Sequence, residues 1–152
     1  MNRIIISILF AAIMTVAGGC TKTAHKEFAS ATIHNDCGYD IVIEEVRDHK
    51  NRVVYDNGIG RLIKDGECRS FRTLYPRTDK SWTISLSNGT RFTYTREAMT
   101  PDNYIQRSPL NTYYIIIDGE SGAFSYTFTE SDAEYISKMN AQGIYSDRPT
   151  GR

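Results

Sequence analysis

The chain has 152 residues, in which 18 lysines and arginines balance 18 aspartates and glutamates. That length holds one domain with a core of its own, and the neutral balance offers no electrostatic case for nucleic acid or for a polybasic membrane patch. Three cysteines and three histidines, none at metal-ligand spacing, leave little material for a metal centre.

Arg3 precedes an apolar run of 13 residues, Ile4 to Val16, which closes on Ala17-Gly18-Gly19-Cys20. The run is too short to cross a hydrocarbon core about 30 Å thick, which takes about 20 apolar residues. Polar Thr21-Lys22-Thr23 follows directly. Residues 1–19 therefore read as a secretory signal peptide that is removed, and they stay out of the fold argument.

Ala17-Gly18-Gly19-Cys20 resembles the lipobox of bacterial lipoproteins, with Ala17 where the family pattern prefers Leu. The resemblance covers only the first twenty residues. It implies cleavage before Cys20, a diacylglycerol on the Cys20 thiol and a fatty acyl chain such as palmitate on the new amine. Each buried CH₂ contributes about 0.8 kcal/mol, and more than one chain gives stable anchoring. Thr21, rather than Asp, follows the cysteine, and by analogy with enteric bacteria this implies an outer-membrane address. Whether the domain faces the periplasm or the outside stays open. Removing the first 19 residues leaves 133 and takes away only Arg3 among the charges, so 17 basic residues face 18 acidic ones. With Cys20 lipidated, Cys37 and Cys68 remain. In an oxidising envelope they most simply pair as a disulfide. Their separation of 31 positions corresponds to roughly 3–4 kcal/mol of loop-entropy stabilisation. A metal site is the rival reading, but it lacks CxxC spacing and a histidine pair.

Residues 20–27 read as the lipidated cysteine and a tether without structure of its own. Phe28 to His34 forms a first strand, and Asn35-Asp36-Cys37-Gly38 a turn. Tyr39 to Val46 follows, with Tyr39, Ile41 and Ile43 on one face by period two. Arg52 to Tyr55 is a short strand, Asp56-Asn57-Gly58 a turn, Ile59 to Ile63 another strand. Lys64-Asp65-Gly66-Glu67 turns the chain into Cys68 to Leu74, which Pro76 ends. Trp82 to Leu86 and Thr90 to Tyr94 form the clearest hairpin. A two-residue Asn88-Gly89 loop would put their apolar sets on opposite faces. A three-residue loop, Ser87-Asn88-Gly89, pairs Ile84 with Phe92 and Trp82 with Tyr94, and this register predicts Gly89 in a left-handed conformation.

Glu97 to Leu110 is irregular, with Thr100-Pro101-Asp102 able to start one helical turn. Thr112 to Asp118 is the most apolar segment and predicts a central strand buried on both sides. Gly119-Glu120-Ser121-Gly122 turns it into Ala123 to Thr129, where Phe124, Tyr126 and Phe128 share a face. Ser131 and Glu134 have capping-box spacing. They predict a helix with Ala133, Ile136 and Met139 on its apolar stripe and Gly143 as its C-terminal cap. The single domain spans 28–143, and 144–152 reads as a flexible tail. Strands every 8–12 residues with Gly, Asn and Asp turns predict a mainly β fold. The expected architecture is an antiparallel sandwich, or a partly open barrel, with one short C-terminal helix.

The chemistry is sparse. No Gly-x-Ser-x-Gly elbow is present, and only His34 lies in the framework, so no catalytic triad is assembled. Glu44 and Glu45 alternate faces of a strand, which leaves at most one of them for any site. The ten tyrosines are the informative surplus: Tyr39, Tyr94 and Tyr126 fall on apolar faces, whereas Tyr75, Tyr104, Tyr113 and Tyr145 are harder to bury. Tyr75, Arg77, Tyr104 and Arg107 are candidate contact residues, because tyrosine with nearby arginine is common at binding surfaces. No catalytic residue, metal ligand or cofactor is assigned. The sequence therefore reads as a membrane-anchored, non-enzymatic envelope module whose partner is a protein or a glycan and not nucleic acid. An inhibitor or immunity-type protein for an envelope enzyme is the first alternative, and a small hydrolase without a visible motif the second.

Overall fold

The computed structural model describes residues 28–74, 78–96 and 107–147. Among these residues eight strands form two four-stranded sheets. The first sheet has the order β4-β1-β8-β7, built from β4 (Cys68–Leu74), β1 (Phe28–Asp36), β8 (Phe124–Thr129) and β7 (Ile116–Ile117). The second has the order β3-β2-β5-β6, from β3 (Leu62–Ile63), β2 (Ile41–Asp48), β5 (Asp79–Leu86) and β6 (Arg91–Thr95). One helix, α1 (Glu130–Ala141), follows β8. The fold is the expected β-sandwich with a C-terminal helix, and neither sheet closes into a barrel. One pairing is parallel: β1 runs alongside β8 from Ala31↔Phe124 to Asp36↔Thr129, so the first and last strands lie side by side.

Period-two alternation produces the two inner faces. Ala29, Ala31 and Ile33 of β1 and Phe124, Tyr126 and Phe128 of β8 are buried from one sheet, and Trp82, Ile84, Leu86, Phe92 and Tyr94 from the other. Trp82 joins them, with its ring centroid 5.8 Å from Phe71 and 6.3 Å from Phe124. Its indole N–H is satisfied inside the core by Asp79 Oδ2 at 2.7 Å. Arg96 holds the same carboxylate from the other side, through Oδ1 at 2.5 Å.

The β5–β6 hairpin has the three-residue loop and the expected register, Ile84↔Phe92 and Trp82↔Tyr94. Leu86 N donates to Thr90 O at 2.9 Å, and Gly89 takes φ +87°. The β4 bounds coincide with the expected segment. Tyr39 departs from expectation: it precedes β2 and is 40% exposed. Arg52 to Tyr55 forms only an isolated bridge, Arg47↔Val53.

Thr112 to Asp118 is the largest correction. Only Ile116 and Ile117 are strand, they form the edge of the first sheet, and Ile116 is 77% exposed. Side-chain chemistry just upstream diverts the chain. Ser108 Oγ accepts from Leu110 N, Asn111 Oδ1 accepts from Tyr113 N, and Tyr114 N donates to Asn111 O. These local turns use the backbone groups that a long strand would need.

The helix starts earlier than Ser131 suggests. Thr129 is the N-cap, and Asp132 rather than Glu134 is the reciprocal acid, accepting from Thr129 N at 2.8 Å. The C-terminal end is as expected. Gly143 has φ +74°, with Gly143 N donating to Asn140 O and Ile144 N to Met139 O, a Schellman arrangement. The first residues of the segment read as a tail are hydrogen-bonded to β6. Thr93 N donates to Tyr145 O, Asp147 N donates to Thr93 O, and Thr95 N donates to Asp147 Oδ1. Asn140 pairs with the backbone of Arg91 through both its amide oxygen and its amide nitrogen. Helix and tail together cover the β6 edge, which would otherwise offer unpaired backbone groups.

Candidate functional site

Cys20, Tyr75, Arg77 and Tyr104 lie outside the described residues, as do the leader, the tether, the Thr100-Pro101-Asp102 turn, Pro76 and residues 148–152. Cys37 and Cys68 are both free, so the expected bridge is not formed. Cys68 sits opposite His34 in the β1–β4 ladder, and both are exposed on the outer face. Cys37 is buried, with its thiol donating to Tyr39 O at 3.4 Å. One cysteine is buried beyond the end of β1 and the other is exposed in β4, whereas a disulfide needs Cβ atoms about 3.8 Å apart and facing each other. Burial pushes the Cys37 thiol pKa up, and the Tyr39 carbonyl only partly offsets this.

Arg107 is a framework residue in this structure. Its guanidinium donates to Thr127 O at 2.9 Å and to Asp132 Oδ2 at 3.3 Å, and it lies 5.1 Å from the Tyr114 ring. Asp132 is buried and also accepts from the Tyr126 hydroxyl at 2.8 Å. Burial and then the Asp132 charge push the Tyr126 pKa well up, so Tyr126 stays a donor. Thr127 pairs with His34 near the end of β1, whereas the connection carrying Tyr75 and Arg77 leaves from Leu74, opposite Phe28 at the start of β1. Arg107 is thus placed toward the other end of the first sheet from that departure point.

The groove that sequence reasoning missed lies on the outer face of the second sheet. A bulge in β2 sets it up: Ile43 faces Ile84 and Glu45 faces Thr83, which leaves Glu44 as the extra residue. Ile43 and Val46 both point into the core, so Glu44 and Glu45 both stand outside. Strict alternation had separated them. The signal was in the apolar spacing, Ile41, Ile43, Val46, which steps by two and then by three.

Each carboxylate is matched. Glu45 takes a forked pair from Arg47, at 2.6 Å from Nε and 2.8 Å from the second guanidinium nitrogen. Arg47 also donates to Asn51 O at 2.9 Å. The Glu45 hydrogen bond holds the Arg47 pKa above its ordinary value. Glu44 accepts from Arg91 Nε at 2.5 Å. Between these pairs the floor is hydroxyl-rich, with Ser81, Thr83, Thr93 and Thr95, and with Thr83 Oγ1 and Thr93 Oγ1 3.0 Å apart. Thr95 Oγ1 is buried and without a hydrogen-bond partner. The result is a shallow trough of about 420 Å³, open to one side and bounded by Lys80 and by Ser146 of the docked tail. It offers fixed donors and acceptors along an extended surface.

His34 and His49 are exposed, as expected of surface histidines. Asp56, Asp65 and Asp118 accept backbone hydrogen bonds in turns, from Gly58, Gly38 and Glu120. Among the described residues no group of three His, Cys, Asp or Glu side chains could hold a metal ion. Among the same residues no helix is long and apolar enough to cross a membrane. No protein-family model, no curated protein and no solved structure matches the chain.

Proposed function

We propose that this protein is a lipid-anchored lipoprotein of the bacterial cell envelope, with an outer-membrane address, whose sandwich acts as a non-catalytic binding or accessory module. Arg3, the 13-residue apolar run and Ala17-Gly18-Gly19-Cys20 support the anchor. The observation that carries the binding role is the trough on the second sheet. Its Glu45 pairs with Arg47, its Arg91 pairs with Glu44 beside it, and its floor carries hydroxyl side chains on the strands. A ligand lying along the sheet would meet an array of polar groups already held in place, which lowers the ordering cost of binding. A protein segment or a glycan has that extended, hydrogen-bonding character.

The test compares the full-length protein with its Arg47→Glu and Thr93→Val variants, purified from membranes and incubated with solubilised envelope proteins and with cell-wall glycan. Retention by the native protein, lost in both variants while their melting temperatures stay within a few degrees, supports the reading. Equal retention by all three contradicts the assignment to this face. A single stoichiometric envelope enzyme in the bound fraction, with its activity suppressed, would make the module an inhibitor.

A further inference from the structure

A second concavity, of about 410 Å³, lies at the end where β1 begins. Phe28, Arg72 and Leu74 line it from the first sheet, and Asp48, Arg52 and Tyr55 from the other side. Its rim is aromatic and cationic. Tyr55 is 89% exposed, and the Arg72 guanidinium lies 4.3 Å over the Phe28 ring. Arg52 is oriented by Asp48, with Nε 2.7 Å from Oδ2. The lining carries two cations against one anion.

Chain length limits how far this end can stand from the bilayer. Phe28 comes eight positions after Cys20. Eight residues reach about 28 Å when fully extended and about 16 Å as a flexible coil. The nine residues of β1 then lead away from that point, about 30 Å at 3.3 Å per residue. The turn holding Lys64 and Asp65 lies at the far end, where Gly66 N donates to Asn35 O. An anchor at Cys20 therefore lets the cleft end reach the bilayer, with the Lys64 end a strand's length further along the domain.

We infer that the cleft end of the sandwich docks on the leaflet that holds the anchor, with Phe28 and Tyr55 at head-group level and the Arg52–Arg72 cleft receiving the phosphate of a phospholipid. The inference rests on the lipid anchor proposed above. Amphipathic aromatic rings settle at the membrane–water interface, and a guanidinium recognises phosphate through two N–H groups at once. The docked orientation leaves the trough on the second sheet facing sideways, open to a partner.

The test uses the full-length protein in a Cys68→Ser background, purified from membranes and reconstituted into vesicles of phosphatidylethanolamine and phosphatidylglycerol. A fluorophore is placed at His49→Cys, beside Asp48 at the cleft end, or at Lys64→Cys at the far end, and head-group nitroxide lipids serve as quenchers. Docking predicts quenching at position 49 that exceeds that at position 64 by roughly three-fold or more, given an interface only a few ångströms thick. It also predicts that Arg72→Glu or Tyr55→Ala brings the two positions together while Trp82 emission stays native. Equal quenching of a vesicle-bound protein overturns the docking and leaves the anchor standing; this is also the result if the tether or another protein covers the cleft. Failure of the unlabelled protein to stay with vesicles overturns both.

Discussion

Asn35 shows how one side chain can close a sandwich. It is fully buried, and its amide donates to Tyr39 O at 2.8 Å and to Ile63 O at 2.9 Å, while its Oδ1 accepts from Cys37 N. It ties the end of β1 to the next turn and to β3. Asn35→Ala leaves buried carbonyls unpaired and is expected to cost about 3 kcal/mol in chemical denaturation. Gly58 has a different task. A Cβ there would stand 2.3 Å from Phe71 Cβ, so Gly58→Ala should destabilise by about 1–3 kcal/mol through overpacking. From sequence both residues read as turn formers, because an Asn or Gly between strands carries no mark of what its side chain, or lack of one, must meet across the fold. The cysteines illustrate the same limit. Counting residues paired them, whereas in the structure both are free, Cys37 buried and Cys68 exposed. A thiol reagent should label Cys68 quickly and Cys37 slowly in the native protein, and both after denaturation. Asp147 supplies a pH signature. Burial raises its pKa to about 6, partly offset by the Thr95 hydrogen bond. The folded state therefore favours the protonated acid, and this contribution is full below the ordinary carboxylate value and is lost as pH rises through about 6. The Thr95 amide resonance should titrate near pH 6 and stay flat in Asp147→Asn.

Among the elements, the β5–β6 hairpin was legible down to its register, because only the three-residue loop puts Trp82, Ile84, Leu86, Phe92 and Tyr94 on one face. β8 was legible for the same reason of alternation. Thr112 to Asp118 was not, since its composition matches a buried strand and the outcome depended on hydrogen bonds from Ser108 and Asn111. The helix start was missed because Ser131 and Thr129 offer equally good capping patterns, and burial of Asp132 beside Tyr126 selects the second. These placements have energetic consequences. Ile84→Ala in the core should cost about 2–5 kcal/mol, whereas Ile116→Lys on the exposed edge should stay within about 0.5 kcal/mol. Removing residues 144–152 uncovers the β6 edge that Tyr145 and Asp147 pair. Faster hydrogen exchange at Thr93 and Thr95 is the expected result, with a greater tendency to associate through that edge.

At the scale of the whole molecule, the proposed anchor would polarise the sandwich. One end carries Phe28, Tyr55, Arg52 and Arg72. The outer face of the second sheet carries paired charges and hydroxyls away from that contact. The sandwich was legible in the sequence, but not the trough, which depends on a bulge that reverses the side of Glu45. The proposed role depends first on the anchor. Its most direct measurement is the intact mass of the mature protein extracted from membranes, with Cys20→Ser as the comparison. The account predicts a chain that begins at Cys20, heavier than its residues by a diacylglycerol and an acyl group, and a substituted protein released to the soluble fraction. A native chain with a free Cys20 thiol, or one cut elsewhere without added lipid, would contradict it.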